Sequence, residues 1–448
     1  MTDSPAIPTE SRRAVAAGRR ARGRLVVPPS KSFTHRYFNL ALLARRPLIV
    51  ERPLDAEDTR LFRAALARLG FTVEEGPGQV AIAPGPRAVA AADLDCGNAG
   101  TMFRFLVASL TTLPGRWRLD GVPRLRERPV GPLVDALRRL GAEIDFAGRD
   151  GFAPLIVHGG TLAGGSTRLD AGASSQFLSA LLMAGLAARE AVTVEVAALT
   201  SAPYVELTLA AIAELGGDVE RPAADVFRVR PTALGPAGPP GGVARVRVEG
   251  DFSAACYPAA AAALTGGPVV LVGLAAGSRQ GDRAFFDLLA RMGATVEWRE
   301  GGEVEVAGPA AGGLTAIAAD LGALPDQVPT LAALAPFARG TTVIRGVRHL
   351  RIKESDRLAA MAAELGRLGA GAEELPDGLV VPGVWVDREP PTGAVVVDPH
   401  GDHRIAMSLA ITALRRPGVE IARPEVVAKS YPGFWEDLDS LLVMGTMC

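Results

Sequence analysis

At 448 residues and a formal net charge of −1, the chain is long enough for two ordinary domains with full cores, which excludes a single small module. It carries no global basic field for nucleic acid or anionic lipid, so any anion binding must be local. The three cysteines, Cys96, Cys256 and Cys448, show neither a CxxC pair nor metal-ligand spacing; a disulfide framework is excluded, no metal site is expected, and the thiols read as reduced and cytoplasmic.

In chain order, the N-terminal segment carries Arg12, Arg13, Arg19, Arg20, Arg22 and Arg24 without a continuous apolar run, so it is not a secretory signal. Alanine-rich runs such as Ala259 to Leu264 are broken by Gly or Pro well short of a membrane span, and a soluble protein with no membrane partner is expected. From Lys31 onward one unit recurs. Helical patterns that stop on an apolar residue plus Gly appear at Leu69-Gly70, Leu140-Gly141, Leu215-Gly216, Met292-Gly293 and Leu368-Gly369, a period of roughly 75 residues. A β-rich run precedes each helix: Leu48 to Glu51, Trp117 to Leu119, Val192 to Val196, Val269 to Val272 and Thr342 to Ile344. The sixth copy, around Val419 to Ile421 and Trp435 to Leu442, is truncated.

A second helix repeats upstream in each unit, opening on SKSFTHR, GNAGTMFR, SSQFL, GDFSAACY, PDQVPTL or GDHRIAM, with first residues Lys31, Asn98, Ser174, Asp251, Asp326 and Asp402. Bodies such as Phe177 to Leu186 and Ile405 to Leu414 are apolar nearly all round, the pattern of helices buried inside a domain, so only their N-termini can reach solvent. The result is an α/β (α+β) chain of six βαβαββ-like units that gathers polar helix ends suited to anions. The Pro/Gly stretch Pro231 to Gly242 divides the units three and three, giving two domains. Composition does not decide which half the N-terminal segment joins.

The densest charge lies in LRIKESDR, Leu350 to Arg357, ahead of a helical pattern at Leu358, Met361, Leu365 and Leu368 that stops at Gly369. Lys353 and Arg357 add positive charge where the helix dipole is already positive, a local penalty unless an anion or a carboxylate such as Glu354 or Asp356 sits there. The competing reading is a solvated salt-bridge cluster. Further cations, Lys31, Arg36, Arg104, Arg128, Arg404 and Lys429, stand at the helix openings or in loops; with Ser32, Ser174, Ser175 and Gln176 they supply the charge and donors that phosphate and carboxylate groups require. Asp326 and Glu354, set among cations, suit acid/base work. Asp326, following Pro325, reads equally as an N-cap.

In this order and spacing, PPSKSFTHR, GNAGTMFR, RERP, SSQFLSALLM, SAPY, LRIKESDR, GDHRIAM and KSYPGF resemble the motifs of the 5-enolpyruvylshikimate-3-phosphate synthase family, the 3-phosphoshikimate 1-carboxyvinyltransferases, over essentially the whole chain. The resemblance implies joining of phosphoenolpyruvate to shikimate 3-phosphate with loss of phosphate, by addition and elimination, with no metal or organic cofactor. It implies a two-domain inside-out α/β barrel of six βαβαββ repeats, three per domain, with residues 30–248 in the first domain and 1–29 with 249–448 in the second. A monomer with no nucleic-acid partner is expected.

By the same resemblance, Lys31, Ser32, Arg36, Ser174, Ser175, Gln176, Ser201, Tyr204, Asp326 and Lys353 would bind shikimate 3-phosphate. Lys31, Gly100, Arg128, Gln176, Arg357, Arg404 and Lys429 would bind phosphoenolpyruvate. Asp326 resembles the base for the 5-hydroxyl and Glu354 the acid that protonates the methylene carbon, with Lys31 and His403 assisting. Glyphosate competes with phosphoenolpyruvate in this family, and some members exclude it with a methyl group at the place of Gly100. Three positions depart from the pattern: Met102 replaces a small residue, Phe105 stands where many members have Pro, and His349 where some have a substrate-contacting Asn.

Two other readings fit parts of the sequence. UDP-N-acetylglucosamine enolpyruvyl transferases resemble the fold and chemistry but use a mobile-loop cysteine, a role that suits none of Cys96, Cys256 and Cys448. A non-catalytic repeat protein would use the units as an interaction surface, and leaves the coincidence of Lys31, Asp326, Glu354 and Arg404 unexplained.

Overall fold

The computed structural model describes residues 11–44, 46–235, 243–310 and 313–444. The chain divides into two compact units, one continuous (Pro29–Glu249) and one built from two segments (Met1–Pro28 with Gly250–Cys448). Each encloses its own hydrophobic core.

The continuous unit contains helices α1 (Lys31–Ala44), α2 (Glu57–Arg68), α3 (Gly100–Ser109), α4 (Gly131–Arg139), α5 (Gln176–Gly185) and α6 (Pro203–Glu214). Its three sheets share one plan, a parallel pair extended by an antiparallel hairpin. Strand 48–51 pairs in parallel with 244–247, then antiparallel with 79–84, which pairs with 71–76. The same order holds for 91–95, 115–120, 155–159 and 143–146, and for 165–171, 192–199, 226–229 and 219–223. Strand 48–51 shows how sequence sets the faces, since alternate residues Leu48 and Val50 are buried. Helices α2 and α4 are amphipathic covers and α6 is a half-buried, largely apolar one, and each is followed by a glycine at positive φ: Gly70 (88°), Gly141 (89°) and Gly216 (76°). A side chain there would be strained, which is why the apolar-plus-Gly signature ends these helices.

Helices α1, α3 and α5 pack on one another inside the unit and bury almost every side chain. Their few polar bodies are tied together. Ser109 Oγ of α3 donates to Asn39 Oδ1 of α1 at 2.9 Å, and Asn39 Nδ2 reaches Met183 Sδ of α5 at 3.5 Å. An unpaired buried amide would cost about 1–3 kcal/mol, so these bonds select one packing of the three helices.

The second unit contains α7 (Phe252–Thr265), α8 (Ala284–Arg291), α9 (Val328–Leu334), α10 (Arg357–Arg367), α11 (His403–Ala413) and α12 (Phe434–Leu441). Two sheets repeat the same plan, 23–26 with 269–272, 303–307 and 295–299, and 318–320 with 341–345, 378–382 and 373–375. The third is shorter: 395–397 runs parallel to 419–422, which accepts 12–14 as an antiparallel edge. The N-terminal segment thus supplies strands to this unit. Gly293 (98°) and Gly369 (89°) follow α8 and α10. Helices α7, α9 and α11 form the buried layer, with Thr412 Oγ1 of α11 donating to the Ala333 carbonyl of α9 at 3.0 Å.

Among the described residues no sheet closes on itself into a barrel. Most of the Pro231–Gly242 stretch, residues 236–242, lies outside the described residues. Its first part is held on the continuous unit, where Thr232 N donates to the Leu186 carbonyl (2.9 Å) and Gly235 N to that of Leu215 (2.8 Å). The strand after it, Ala244–Arg247, returns to that unit's first sheet, so the change of unit falls later, at Glu249 and Gly250. No described helix is long and apolar enough to cross a membrane.

Candidate active site

The sequence-derived site residues fall into two groups, one in each unit. In the second unit Asp326 and Glu354 meet on Arg357, the first residue of α10. Asp356 caps this helix, accepting from Leu358 N (3.2 Å) and Ala359 N (3.1 Å). The Arg357 guanidinium is buried. Nε donates to Asp402 Oδ2 (2.7 Å), Nη1 to Asp326 Oδ1 (2.8 Å), and Nη2 to Glu354 Oε2 (3.0 Å) and Asp402 Oδ1 (3.3 Å). Burial works to strip its proton, but Asp402, Glu354 and Asp326 together raise its pKa above the ordinary arginine value. The positive charge at the α10 N-terminus is therefore answered by carboxylates from three places in the chain. The ion pairs are real, but they are buried and not the solvated cluster that charge density alone would suggest. The solvated part is Arg351, which bridges Asp356 (3.2 Å) and Glu374 (2.5 Å).

Asp326 sits in a single 3-10 turn, Pro325–Gln327, immediately before α9. Asp326 is the N-cap of neither helix, those positions being Leu324 and Gln327, and both its carboxylate oxygens take arginines. Oδ2 lies 2.6 Å from Arg404 Nη2 and Oδ1 is held by Arg357. Burial alone would raise the carboxyl, but Arg404, Arg357 and Lys353 outweigh it and hold Asp326 ionised well below the usual carboxylate range. Asp326 and Glu354 keep 20% and 12% of their side-chain surface exposed, against 2% for the arginine beneath them. Both acids are thus reachable from one side while fixed from the other.

Asp402 anchors this arrangement from α11. It caps that helix, accepting from Arg404 N (2.9 Å), takes Ser355 Oγ (3.2 Å) and grips Arg357 with both oxygens. Arg404 extends toward Tyr257 of α7, donating to its hydroxyl at 3.3 Å. His403, the first residue of α11, is buried with Nδ1 3.8 Å from Asp402 Oδ1. Lys429 ends the 3-10 segment Pro424–Lys429, which packs on α11. His349 is buried too, and burial followed by the Lys353 charge pushes its pKa down to about 4, so it is a neutral imidazole near neutral pH.

In the continuous unit the group lies at the starts of α1, α3 and α5. Ser30 caps α1, accepting from Phe33 N at 3.4 Å, which places Lys31 at the first helical position with Nζ 3.3 Å from Asp58 Oδ2. One turn on, Arg36 is buried and donates to the Ser32 carbonyl (2.8 Å), Thr208 Oγ1 (2.8 Å) and the Tyr204 carbonyl (2.6 Å). All of these acceptors are neutral. Burial lowers the Arg36 pKa to about 10, leaving it a desolvated cation at neutral pH, the condition in which an incoming anion is most favoured. Phe105 supports it, with the guanidinium 5.5 Å from the ring centroid. Met102 faces the core.

Gly100 opens α3 directly beneath Arg128: a Cβ built on it would stand 2.6 Å from the guanidinium carbon. Arg128 Nη1 donates to the Asn98 carbonyl at 3.1 Å. Gln176 opens α5 and crosses to α3, accepting from Arg104 Nη1 (2.7 Å) and donating to Thr101 Oγ1 (2.9 Å). Ser174 and Ser175 are buried just ahead of it, Ser174 Oγ accepting from Gln176 N at 3.3 Å. Ser201 is buried at φ 52°, a backbone region unusual for serine, just before Tyr204 presents its carbonyl to Arg36.

Several participants were not singled out as site residues from sequence: Asp402, Tyr257, Thr208 and Asp58. The GDHRIAM opening pointed at Asp402, but nothing local says that its carboxylate takes an arginine 45 residues away. Among the described residues no cluster of His, Cys, Asp or Glu is arranged to hold a metal ion.

Three comparisons with known proteins bear on this geometry. The family model described as EPSP synthase (3-phosphoshikimate 1-carboxyvinyltransferase) matches residues 15–438. A 3-phosphoshikimate 1-carboxyvinyltransferase of Syntrophobacter fumaroxidans is 46% identical over 423 residues, covering 94% of this chain and 97% of that protein. One of Methanoculleus marisnigri is 41% identical over 415 residues, covering 92% and 94%. Among solved structures, EPSP synthase from Acinetobacter baumannii superposes with a TM-score of 0.77 at 29% identity, covering 97% of this chain and 98% of that one. The enolpyruvyl transferase NikO from Streptomyces tendae, at 20% identity and a TM-score of 0.74 over 95% and 96% of the chains, shares the fold.

Proposed function

Because this chain belongs to the EPSP synthase (3-phosphoshikimate 1-carboxyvinyltransferase) family, we propose that it transfers the carboxyvinyl group of phosphoenolpyruvate to the 5-hydroxyl of shikimate 3-phosphate, releasing phosphate on the route to chorismate and the aromatic amino acids. We read the repeated sheet plan as six βαβαββ units, three in each of two domains of the inside-out barrel type, spanning 30–248 and 1–29 with 249–448. The enzyme acts as a cytoplasmic monomer and needs neither metal nor organic cofactor.

The observation that carries this reading is that one buried guanidinium, Arg357, holds both Asp326 and Glu354. Asp326 takes the 5-hydroxyl proton as that oxygen attacks C2 of phosphoenolpyruvate, and protonated Glu354 gives a proton to C3, leaving a tetrahedral intermediate. Elimination reverses the C3 protonation, re-forms the carbon–carbon double bond and expels phosphate. Lys31 and His403 assist these transfers and stabilise the charge that develops. Arg357, Arg404, Arg128, Lys31 and Lys429, with Gly100 and Gln176, receive phosphoenolpyruvate. Lys31, Ser32, Arg36, Ser174, Ser175, Gln176, Ser201 and Tyr204, with Asp326 and Lys353, receive shikimate 3-phosphate.

The ion pairs give the loading step a chemical consequence. As a substrate anion draws on Arg357 and Arg404, the hold of these cations on Asp326 loosens and its proton affinity rises, so the base strengthens when there is a proton to accept. The cysteine-dependent alternative finds no support, since Cys96 and Cys256 are buried and burial raises both thiols far from the thiolate; Cys448 lies outside the described residues. Phosphate release assayed with each substrate alone and with both is the test. Release that requires both supports the reading, and release from phosphoenolpyruvate alone, or none with both, refutes it.

A further inference from the structure

Asp282 is a buried acid outside the roles above. It lies in the 3-10 turn Gly281–Arg283 before α8, 2% exposed. The turn is fastened under the start of α7: Gln280 Nε2 donates to the Gly250 carbonyl (2.7 Å) and its Oε1 accepts from Phe252 N (3.1 Å). Asp282 Oδ2 accepts from Ser253 Oγ of α7 and from Gln327 Nε2 at 3.1 Å. Its Oδ1 is buried with no hydrogen-bond partner among the described residues. A buried carboxylate normally satisfies both oxygens, so this one is held for something other than its own stability.

Gln327 directly follows Asp326 and is fully buried, its Oε1 accepting from Thr330 Oγ1 at 3.1 Å. The turn that carries Asp326 is therefore clamped from beneath by Asp282. We propose that Asp282 is a positioning residue for Asp326, fixing its turn through Gln327 and strengthening it as a base through negative charge placed behind it. The proposal rests on Asp326 being the base. The charged groups that face Asp282 are Asp326 on the 325–327 turn and Arg404 on α11; the Cys256 thiol of α7 lies 3.7 Å from the Asp282 carbonyl and burial keeps it protonated, and Arg283, stacked on Trp298, is beside Asp282 in the chain. Burial first and the Asp326 charge second raise the Asp282 carboxyl to about 6. Ionised Asp282 opposes the pull of Arg404, Arg357 and Lys353 on Asp326. Protonated Asp282 does not, and Asp326 is then the weaker base.

The test is the pH dependence of kcat and of both KM values for the wild type and Asp282→Asn, a neutral residue of the same shape. Wild-type kcat is expected to fall as pH descends through about 6. Asp282→Asn should lower kcat about tenfold at pH 8, keep both KM values within about twofold, and flatten the limb near pH 6. A variant with wild-type kcat throughout, or one whose loss lies in KM with the limb unmoved, overturns the proposal. Should that variant not fold, Gln327→Met keeps the Asp282 charge and cuts the clamp: kcat should fall with the limb retained, and an unchanged kcat is the overturning result. A wild type inactive with both substrates defeats this inference and the proposed function together, whereas an unchanged variant defeats this inference alone.

Discussion

The Arg357 cluster joins one guanidinium to three carboxyl side chains, Asp326, Glu354 and Asp402, and each has a distinct place in it. Glu354→Gln keeps an acceptor for Arg357 Nη2 but cannot carry the transferable proton, so kcat should fall by about a hundredfold or more with little change in either KM. Asp326→Asn should do the same. Steady-state kinetics on both variants check this, and near wild-type kcat in either removes that role. At Gly100 the structure adds a term to the steric argument for glyphosate. An added methyl would meet the Arg128 guanidinium, so Gly100→Ala must displace the arginine proposed above to receive phosphoenolpyruvate. KM for phosphoenolpyruvate should rise severalfold and the glyphosate inhibition constant more, because the longer ligand also meets the methyl; inhibition at varied phosphoenolpyruvate measures both. His349 gives a pH signature. Its folded pKa of about 4 lies below the unfolded value of about 6.5, so its contribution to stability is complete above about pH 6.5 and is lost as pH falls toward 4. The swing is at most ~3 kcal/mol. Thermal melts of His349→Asn should therefore depend less on pH across that window than those of the wild type.

At the scale of elements, residues proposed for catalysis and binding stand at the starts of the buried helices α1, α3, α5 and α11, and the covering helices α2, α4, α6, α8 and α10 are followed by left-handed glycines. Helix α10 is the exception that links the two roles, because it is an amphipathic cover whose first residue is Arg357. Its cap therefore serves the site directly. Asp356→Ala removes the acceptor for Leu358 N and Ala359 N and frees Arg351 from one partner. The expected loss is about 1 kcal/mol of stability, read as a lower melting temperature, with a drop in kcat because Glu354 and Arg357 flank the frayed turn. A lowered melting temperature with unchanged kcat would show that the Arg357 ion pairs alone hold the site.

For the whole molecule, the continuous unit contains every partner of its three sheets, including strand 244–247, and its own core. Residues 29–249 expressed alone should fold and melt cooperatively. Residues 250–448 alone should not, because the strands at 12–14, 20–21 and 23–26 that pair with 419–422, 442–443 and 269–272 lie at the other end of the chain. Circular dichroism and thermal melting of the two fragments decide the matter; a cooperative melt of 250–448 would show that these N-terminal strands are dispensable.

Sequence by itself determined what is local. The apolar period and terminal Gly of α2, α4, α6, α8 and α10, the nearly all-apolar bodies of α5 and α11, and the identity of the charged residues at the openings follow from propensities and periods that span a few turns. Pairings across the chain did not follow. Arg36 meets Thr208 and Tyr204 from 172 and 168 residues away, Asp402 takes Arg357, Asp282 reaches Gln327, and strand 12–14 finds strand 419–422. Any of several carboxylates could neutralise a given arginine, and any apolar strand could complete a given sheet edge. Only packing fixes the choice, because a buried charge or an open hydrogen-bonding edge is tolerable in few arrangements of the whole chain.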